Sequence, residues 1–332
     1  CFRGKDPMDF ILSILRSENE IILSLFLLGG IYILVKGGDM LISGAESLSV
    51  SYNIDPMAIG LTVVAFGTSL PEFFVSFIAN LSGKDDIGIG NILGSNVANI
   101  ALILGIGAVM TPVIMDKITM KYDLPITFAV SFVFYIFMFD GNITRINGLI
   151  LTTMFGLYIY YVYWRSKTFN EKLLDEEIES HNSRFKDLIL ILIGIFGLYL
   201  GSDLTIRGAS GIARIFGVSE LAIGLTIVSI GTSLPELVAT IIAIKTNNHK
   251  IGVGNIIGSN VFNILFVLGI SSTVKPFSVN PDNIKYWGPI MLFTTLLLFP
   301  LGYKNKISRF SGIFLLFFYS VYLVLSFVLK TH

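Results

Sequence analysis

Thiols, histidines and charge are all scarce in this sequence, and each scarcity removes a class of function. The 332 residues include one cysteine, Cys1, so no disulfide can form within the chain. The three histidines, His181, His249 and His332, fall in polar stretches or at the end, which leaves no imidazole cluster for zinc or copper inside an apolar segment. Charged residues make up only 14%, against roughly a quarter in soluble domains. Basic and acidic residues balance at 23 each, and the bases are scattered between apolar runs, so there is no electrostatic footprint for nucleic acid. A metal ion buried in this chain has to be held by oxygen.

What is abundant is apolar: 53% hydrophobic residues, 27 phenylalanines, 32 glycines and a mean hydropathy of +0.77. A helical crossing of a bilayer needs about 20 apolar residues. The expectation is therefore an all-α integral membrane protein with ten transmembrane helices, at 21–50, 57–80, 87–112, 122–139, 145–165, 187–216, 221–244, 251–273, 286–302 and 309–329. The first and sixth exceed one perpendicular crossing, which implies tilt. Residues 8–20, "MDFILSILRSENE", are too short and too charged to span and read as a separate interfacial helix, and 1–7 read as an appended remnant or disordered lead-in. The polar stretch 166–186 divides a first five-helix unit, 21–165, from a second, 187–332.

The two units are copies. "GLTVVAFGTSLPE" at 60–72 returns as "GLTIVSIGTSLPE" at 224–236, an offset of 164 residues without a gap. At the same offset "GGDMLISGA" (37–45) matches "GSDLTIRGA" (201–209), and "GNILGSNVANI" (90–100) matches "GNIIGSNVFNI" (254–264). The identities are Gly, Thr, Ser, Pro, Glu and Asn, which chance resemblance between greasy segments would not reproduce. Five spans is an odd number, so the second copy enters the membrane from the opposite side. The expected architecture is two inverted five-helix repeats, which place a transporter's site at the midplane where they meet. Lys and Arg lie in modest excess on the side of the 166–186 connection, which puts that loop in the cytoplasm and both termini outside a multi-pass cell-membrane protein.

Each repeat places a proline and a glutamate inside an apolar span. Pro71 and Pro235 cannot donate to the carbonyls of Gly67 and Gly231, leaving oxygens that only a cavity or an ion site tolerates. Thr68 and Ser69 share a helix face with Glu72, as Thr232 and Ser233 do with Glu236. In the third and eighth spans, Asn91, Ser95 and Asn99, and Asn255, Ser259 and Asn263, form two oxygen-bearing stripes at i, i+4 spacing. Hydroxyls, asparagines and prolines are individually common as helix glue or kinks. A carboxylate at the bilayer centre costs several kcal/mol and is functional by default, so the glutamate pair carries the reading. Hard oxygens with two negative charges suit Ca²⁺ and equally Na⁺. By contrast, Lys36 with Asp39 and Asp203 with Arg207 have the spacing of local ion pairs, and the acidic run "LLDEEIES" lacks the Ca²⁺-loop pattern of an EF-hand.

At these residues the chain resembles the cation/Ca²⁺ exchanger superfamily, and within it the prokaryotic sodium/calcium exchangers. Its two alpha-repeat signatures are matched by "AFGTSLPEFFVS" with "GNILGSNVANI" and by "SIGTSLPELVAT" with "GNIIGSNVFNI". The resemblance covers all ten spans. It implies a Na⁺/Ca²⁺ antiporter working by alternating access, with Glu72 and Glu236 as shared ligands. Thr68, Ser69, Ser95, Asn99, Thr232, Ser233, Ser259 and Asn263 would complete the sites, and carbonyls near Ala65 and Ser229 would serve Na⁺. The long first and sixth spans would slide across the core. Ca²⁺ and Na⁺ are then substrates, no cofactor is implied, and no obligatory protein partner beyond the lipid bilayer is evident, so a monomer is expected. Two departures stand out: some members carry Asp where this chain has Asn263, and Ala is common at the position of Ser229. The residues leave open a proton/Ca²⁺ antiporter using the same glutamates and, as other classes, a channel or an intramembrane aspartyl protease at Asp39 and Asp203.

Overall fold

The structure is a computed structural model that describes residues 7–168, 184–218, 223, 227 and 229–329. Among these residues, eight helices are long and apolar enough to cross a bilayer, and two shorter helices, bent against each other by 47°, are together long and apolar enough for one more. The helices are α1 (Pro7–Tyr52), α2 (Pro56–Thr68), α3 (Leu70–Leu81), α4 (Asp85–Met110), α5 (Thr119–Met138) and α6 (Arg145–Thr168). The second half supplies α7 (Arg184–Ile215), α8 (Ser229–Thr232), α9 (Leu234–Lys245), α10 (His249–Val274), α11 (Asn283–Gly302) and α12 (Arg309–Leu329). The first part of the expected seventh span, the acidic run and most of the 166–186 connection lie outside the described residues.

One expectation is corrected. Residues 8–20 do not form a separate helix, because α1 runs unbroken from Pro7 to Tyr52. Nothing between Met8 and Gly29 is a proline or glycine, and the polar Arg16–Glu20 stretch is as compatible with helical backbone as its apolar flanks. Short strands that hydropathy does not signal also appear. Val113–Ile114 (β1) pairs antiparallel with Lys306–Ile307 (β4), and Asn142–Ile143 (β2) with Phe277–Ser278 (β3). The offset of 164 converts β1 into β3 and β2 into β4, so each ladder joins one repeat to the other and the registers match. Helix α5, about 30 Å long at 1.5 Å per residue, separates β1 from β2. The matching segments β1 and β3 therefore lie at opposite ends of the molecule.

Layering follows burial. The apolar windows of α10 and α4 are 94% and 78% buried, while those of the other long helices are 22–33% buried. The two helices that carry the oxygen-bearing Ser and Asn stripes thus form the interior, and the other long helices present most of their apolar windows outward. Around α4 and α10 the main core gathers Ile92, Ile100, Leu104, Ile257, Val261 and Leu268. Glycine permits the tight packing of α10 on α2: a Cβ at Gly258 would sit 2.6 Å from the carbonyl oxygen of Leu61. The matching contacts of Gly90 and Gly94 would involve Leu221 and Leu225, outside the described residues.

A second core lies between α1 and α7, which run antiparallel. Their contact is made by glycines at intervals of seven, Gly30, Gly37 and Gly44 facing Gly194, Gly201 and Gly208. A Cβ at Gly37 would approach the backbone nitrogen of Leu198 to 2.6 Å, whereas one at Gly29 meets nothing within 4 Å. Backbone cannot yield as a flexible side chain can. Gly37→Leu is expected to destabilise the fold by ~1–3 kcal/mol or more and to lower the thermal unfolding midpoint in detergent, while Gly29→Leu leaves that midpoint unchanged.

Candidate functional site

The site is built where the helices α2 and α8 end. Ser69 and Ser233 leave helical geometry at φ −84°, ψ 4° and φ −89°, ψ 8°, and Pro71 and Pro235 then sit in the first turns of α3 and α9, where a missing N–H costs nothing. Glu72 and Glu236 occupy the same first turns. Unpaired N–H groups and the positive end of the helix dipole favour an anionic side chain there. The proline thus serves to start a new helix at the point where a carboxylate is needed.

Both glutamates are completely buried, and each takes hydrogen bonds from the other repeat. Ser233 Oγ donates to Glu72 Oε1 at 3.4 Å, and Ser69 Oγ donates to Glu236 Oε1 at 3.1 Å. Ser95 Oγ adds a longer contact to Glu72 Oε1 at 3.5 Å. Thr68 Oγ1 donates to Asn255 Oδ1 at 3.0 Å and lies 3.4 Å from Ser259 Oγ. Thr232 is buried at the end of α8, in the place Thr68 holds in the first repeat. Among the described residues no group of three or more His, Cys, Asp or Glu is arranged to hold a metal ion, so the site combines two charges with neutral oxygens.

Four buried oxygens at this centre accept no hydrogen bond: Glu72 Oε2, Glu236 Oε2, Asn99 Oδ1 and Asn263 Oδ1. They form two pairs related by the repeat offset. Buried acceptors are normally satisfied, because leaving one unpaired costs ~1–3 kcal/mol. A symmetric set of four, two of them on carboxylates, is the arrangement a dehydrated cation would complete. The π-helical turns that begin at Asn99 and Asn263 also follow the offset, and such bulges recur at functional sites.

Most of the expected oxygen set converges, with qualifications. Asn91 and Asn255 hold the glutamate helices instead of facing the centre. Asn91 Nδ2 donates to the carbonyl of Glu72 at 3.3 Å and to Ser76 Oγ at 2.9 Å, and Asn255 Nδ2 donates to the carbonyl of Glu236 at 3.4 Å and to Thr240 Oγ1 at 3.0 Å. The Ala65 carbonyl accepts the N–H of Ser69 at 3.0 Å and the hydroxyl of Thr68 at 3.4 Å. In the second repeat the N–H of Ser233 turns to Ile230 at 3.1 Å, not to Ser229. Of the two carbonyls released by proline, that of Gly231 accepts the hydroxyl of Ser202 on α7 at 2.7 Å. Gly38 stands at the equivalent position on α1, so repeat matching could not find this contact. Sequence reading also passed over Asn96 and Asn260, whose amides bond across the repeats; their place in "GSN" next to the ligand stripe was the available signal. The pairs Lys36–Asp39, at 3.8 Å, and Arg207–Asp203, at 2.7 Å, are exposed and local as expected.

Comparison with known proteins bears on the family and the fold. The family described as sodium/calcium exchanger protein matches residues 22–164 and 186–328, one copy in each half. A candidate antiporter of Alkalimonas amylolytica, CaxA, is 37% identical over 305 residues, covering 89% of this chain and 96% of the relative. The sodium/calcium exchanger MaX1 of Methanosarcina acetivorans is 28% identical over 342 residues, covering 91% of this chain and 98% of its own length. Among solved structures, the sodium-calcium exchanger NCX_Mj soaked with Na⁺ and Sr²⁺ superposes with a TM-score of 0.81 at 30% identity, covering 92% of this chain and 98% of that one.

The clamps on the glutamate helices are testable apart from any transport assay. Asn255→Ala removes the bonds of the side-chain amide to the Glu236 carbonyl and to the buried hydroxyls of Thr240 and Thr68 and should cost ~1–3 kcal/mol, read as a lower unfolding midpoint in detergent. Asn91→Ala, at a partly exposed position where water can substitute, should lower that midpoint less.

Proposed function

This chain belongs to the sodium/calcium exchanger protein family, and from that premise we propose that it is a secondary antiporter exchanging Na⁺ for Ca²⁺ by alternating access. As a member it is a transporter and not an enzyme, and the ions it moves are its substrates, with no cofactor indicated. The observation that carries the reading is the set of four unpartnered buried oxygens on Glu72, Glu236, Asn99 and Asn263. In this proposal Glu72 and Glu236 are the ligands shared by both ions. The hydroxyls of Thr68, Ser69, Ser95, Thr232, Ser233 and Ser259, the amides of Asn99 and Asn263, and main-chain oxygens near Ala65 and Ser229 complete the shells.

Exchange follows from electrostatics. Two bare carboxylates in a dry interior are costly, so the protein crosses between outward and inward states only when cations neutralise them. Na⁺ and Ca²⁺ compete for the same pair, so one leaves as the other binds. Neutral hydroxyl and amide oxygens around the acids favour Na⁺ over a proton as the counter-ion, since a proton needs only one oxygen whereas Na⁺ needs a shell.

The proposed architecture is ten transmembrane helices in two inverted repeats, 21–165 and 187–332, with the 166–186 connection in the cytoplasm and both termini outside. The placement of β1 and β3 at opposite ends of α5 supports the inversion, and the excess of Lys and Arg near the connection supports the orientation. The chain acts as a monomer in the bilayer in this reading.

The test is ⁴⁵Ca²⁺ uptake into Na⁺-loaded proteoliposomes. The native chain should show Na⁺-dependent uptake, and Glu72→Gln and Glu236→Gln should each reduce it to background. Asp39→Asn should retain at least about half, because an exposed ion pair contributes little. Normal exchange in either glutamine variant overturns the site, and uptake driven by a proton gradient without Na⁺ replaces Na⁺ with protons as the coupling ion.

A further inference from the structure

Behind the four open oxygens lies a second layer that composition alone would assign to helix glue. Asn96 and Asn260 are 1% exposed, as are or more deeply the asparagines they contact, Asn99 and Asn263. Asn99 Nδ2 donates to Asn260 Oδ1 at 3.0 Å, and Asn263 Nδ2 donates to Asn96 Oδ1 at 3.1 Å. The repeat offset converts one bond into the other, so the pairing is a property of the duplicated scaffold.

A side-chain amide has one accepting end and one donating end, and turning it end for end exchanges them. Facing a cation, the oxygen end attracts and the NH₂ end repels. What fixes the choice must therefore be a group whose own polarity cannot turn. The structure supplies one: Asn96 Nδ2 donates to the main-chain carbonyl of Asn260 at 3.4 Å. A carbonyl only accepts, so the NH₂ of Asn96 has to face it and its Oδ1 has to face away, toward Asn263. Asn263 must then offer its NH₂ to that oxygen, and its own Oδ1 is left for the centre. The partnerless state of Asn263 Oδ1 is the end of this chain of constraints, and Asn99 Oδ1, which the repeat offset relates to it, is partnerless as well.

We propose that Asn96 and Asn260 are positioning residues, each fixing the amide of the ligating asparagine in the opposite repeat so that its oxygen and not its NH₂ faces the cations. The inference rests on the reading of Asn99 and Asn263 as ligands. It has a structural corollary: because each bridge crosses between α4 and α10, neither repeat presents a correctly oriented asparagine without the other.

Partners that orient metal ligands typically cost 10–100-fold in affinity when removed. In the reconstituted full chain, Asn260→Ala and Asn96→Ala are expected to raise the half-saturating Na⁺ and Ca²⁺ concentrations by about 10-fold or more, with the maximal rate within about threefold of native. The cation-dependent rise in unfolding midpoint should shift to higher concentration in parallel. A residue acting only through its partner adds nothing once the partner is gone. Asn99→Ala with Asn260→Ala should thus bind no worse than Asn99→Ala alone, and Asn263→Ala with Asn96→Ala no worse than Asn263→Ala alone, whereas the crossed pair Asn99→Ala with Asn96→Ala should multiply. Multiplied effects in the matched pairs overturn the positioning role while leaving the ligands in place. Unchanged half-saturation in both Asn99→Ala and Asn263→Ala overturns the ligand reading itself. Should the alanine variants not fold, Asn96→Leu and Asn260→Leu fill the space. The native chain crystallised with Ca²⁺ then decides independently: an Asn99 or Asn263 amide turned off its partner in the bound state also overturns the proposal.

Discussion

Two carboxylates have to be kept in a dry interior without a base to pair with, and most of this structure answers that constraint. Among the described residues neither Glu72 nor Glu236 forms an ion pair, and the nearby bases in α1 and α7 are spent on exposed local pairs. What remains is neutral. One oxygen of each acid is held by serine hydroxyls from across the repeat boundary, and the other is left open. The helix breaks at Ser69 and Ser233 supply unpaired N–H groups at the acids' own backbone. The placement of α4 and α10, with their serines and asparagines, at the centre of the molecule then provides the hydroxyls and amides. Fully paired acids would have no use for a cation; fully bare ones would not be tolerated. The half-satisfied state lies between these limits.

Duplication explains why this balance appears twice, and its failures are as informative as its matches. The serine bonds to the glutamates, the asparagine bridges, the amide clamps and the two strand ladders all obey the offset of 164. A buried cluster at the other end of α6 does not. Arg165, completely buried, holds Asp55, binds Asp123 at 3.1 Å and approaches Asp116 at 3.9 Å, while Tyr161 donates to Asp123 at 2.6 Å. The matching positions in the second repeat are Leu329, Ser219, Trp287, Asn280 and Leu325, with no charge among them. A buried ion cluster is weak evidence for stability, because desolvation offsets much of the attraction. It does tie together the starts of α2 and α5 and the end of α6 at a single end of the molecule. Symmetry holds for the serine bonds to the glutamates, the asparagine bridges and the amide clamps, and is absent from this cluster.

Much of this was legible in the sequence because the informative residues are ones that lipid does not tolerate. Glu72, Glu236 and the prolines stand out at lipid depth for energetic reasons, and the repeat offset multiplies the signal. Helix boundaries came within a few residues for the described helices other than α1, since hydropathy and helix length are physically linked. What was not legible depends on partners far apart in the chain. Whether Asn91 faces a cation or clamps the carbonyl of Glu72 is decided by helix rotation and not by spacing, since both faces of that stripe carry oxygen. The cap of Ser202 on Gly231 has no counterpart in the first repeat, so symmetry hid it. The strand ladders span two residues each, too short for any periodicity. Continuity of α1 through residues 8–20 was missed because charge argued against a span, whereas charge does not argue against a helix.

The same asymmetry bears on how such a site could open. Helix α1 packs along α9, and among the described residues α7 makes no contact of similar extent with α3, its counterpart by the repeat offset. The α1–α7 pair therefore sits off the axis that relates the two halves, displaced toward the second repeat. In the proposed alternating-access cycle, the opposite arrangement would have the pair displaced toward the first repeat, against the contacts that the two halves share. Within the pair, glycines at intervals of seven bring backbone close to backbone at Gly30, Gly37, Gly194, Gly201 and Gly208. Ser202 marks the difference between the two arrangements, since its hydroxyl reaches the Gly231 carbonyl here and Gly38 could offer nothing to Gly67 in the mirrored one. Contacts present in one repeat and missing from the other would give the two proposed arrangements unequal energies, and so unequal occupancy.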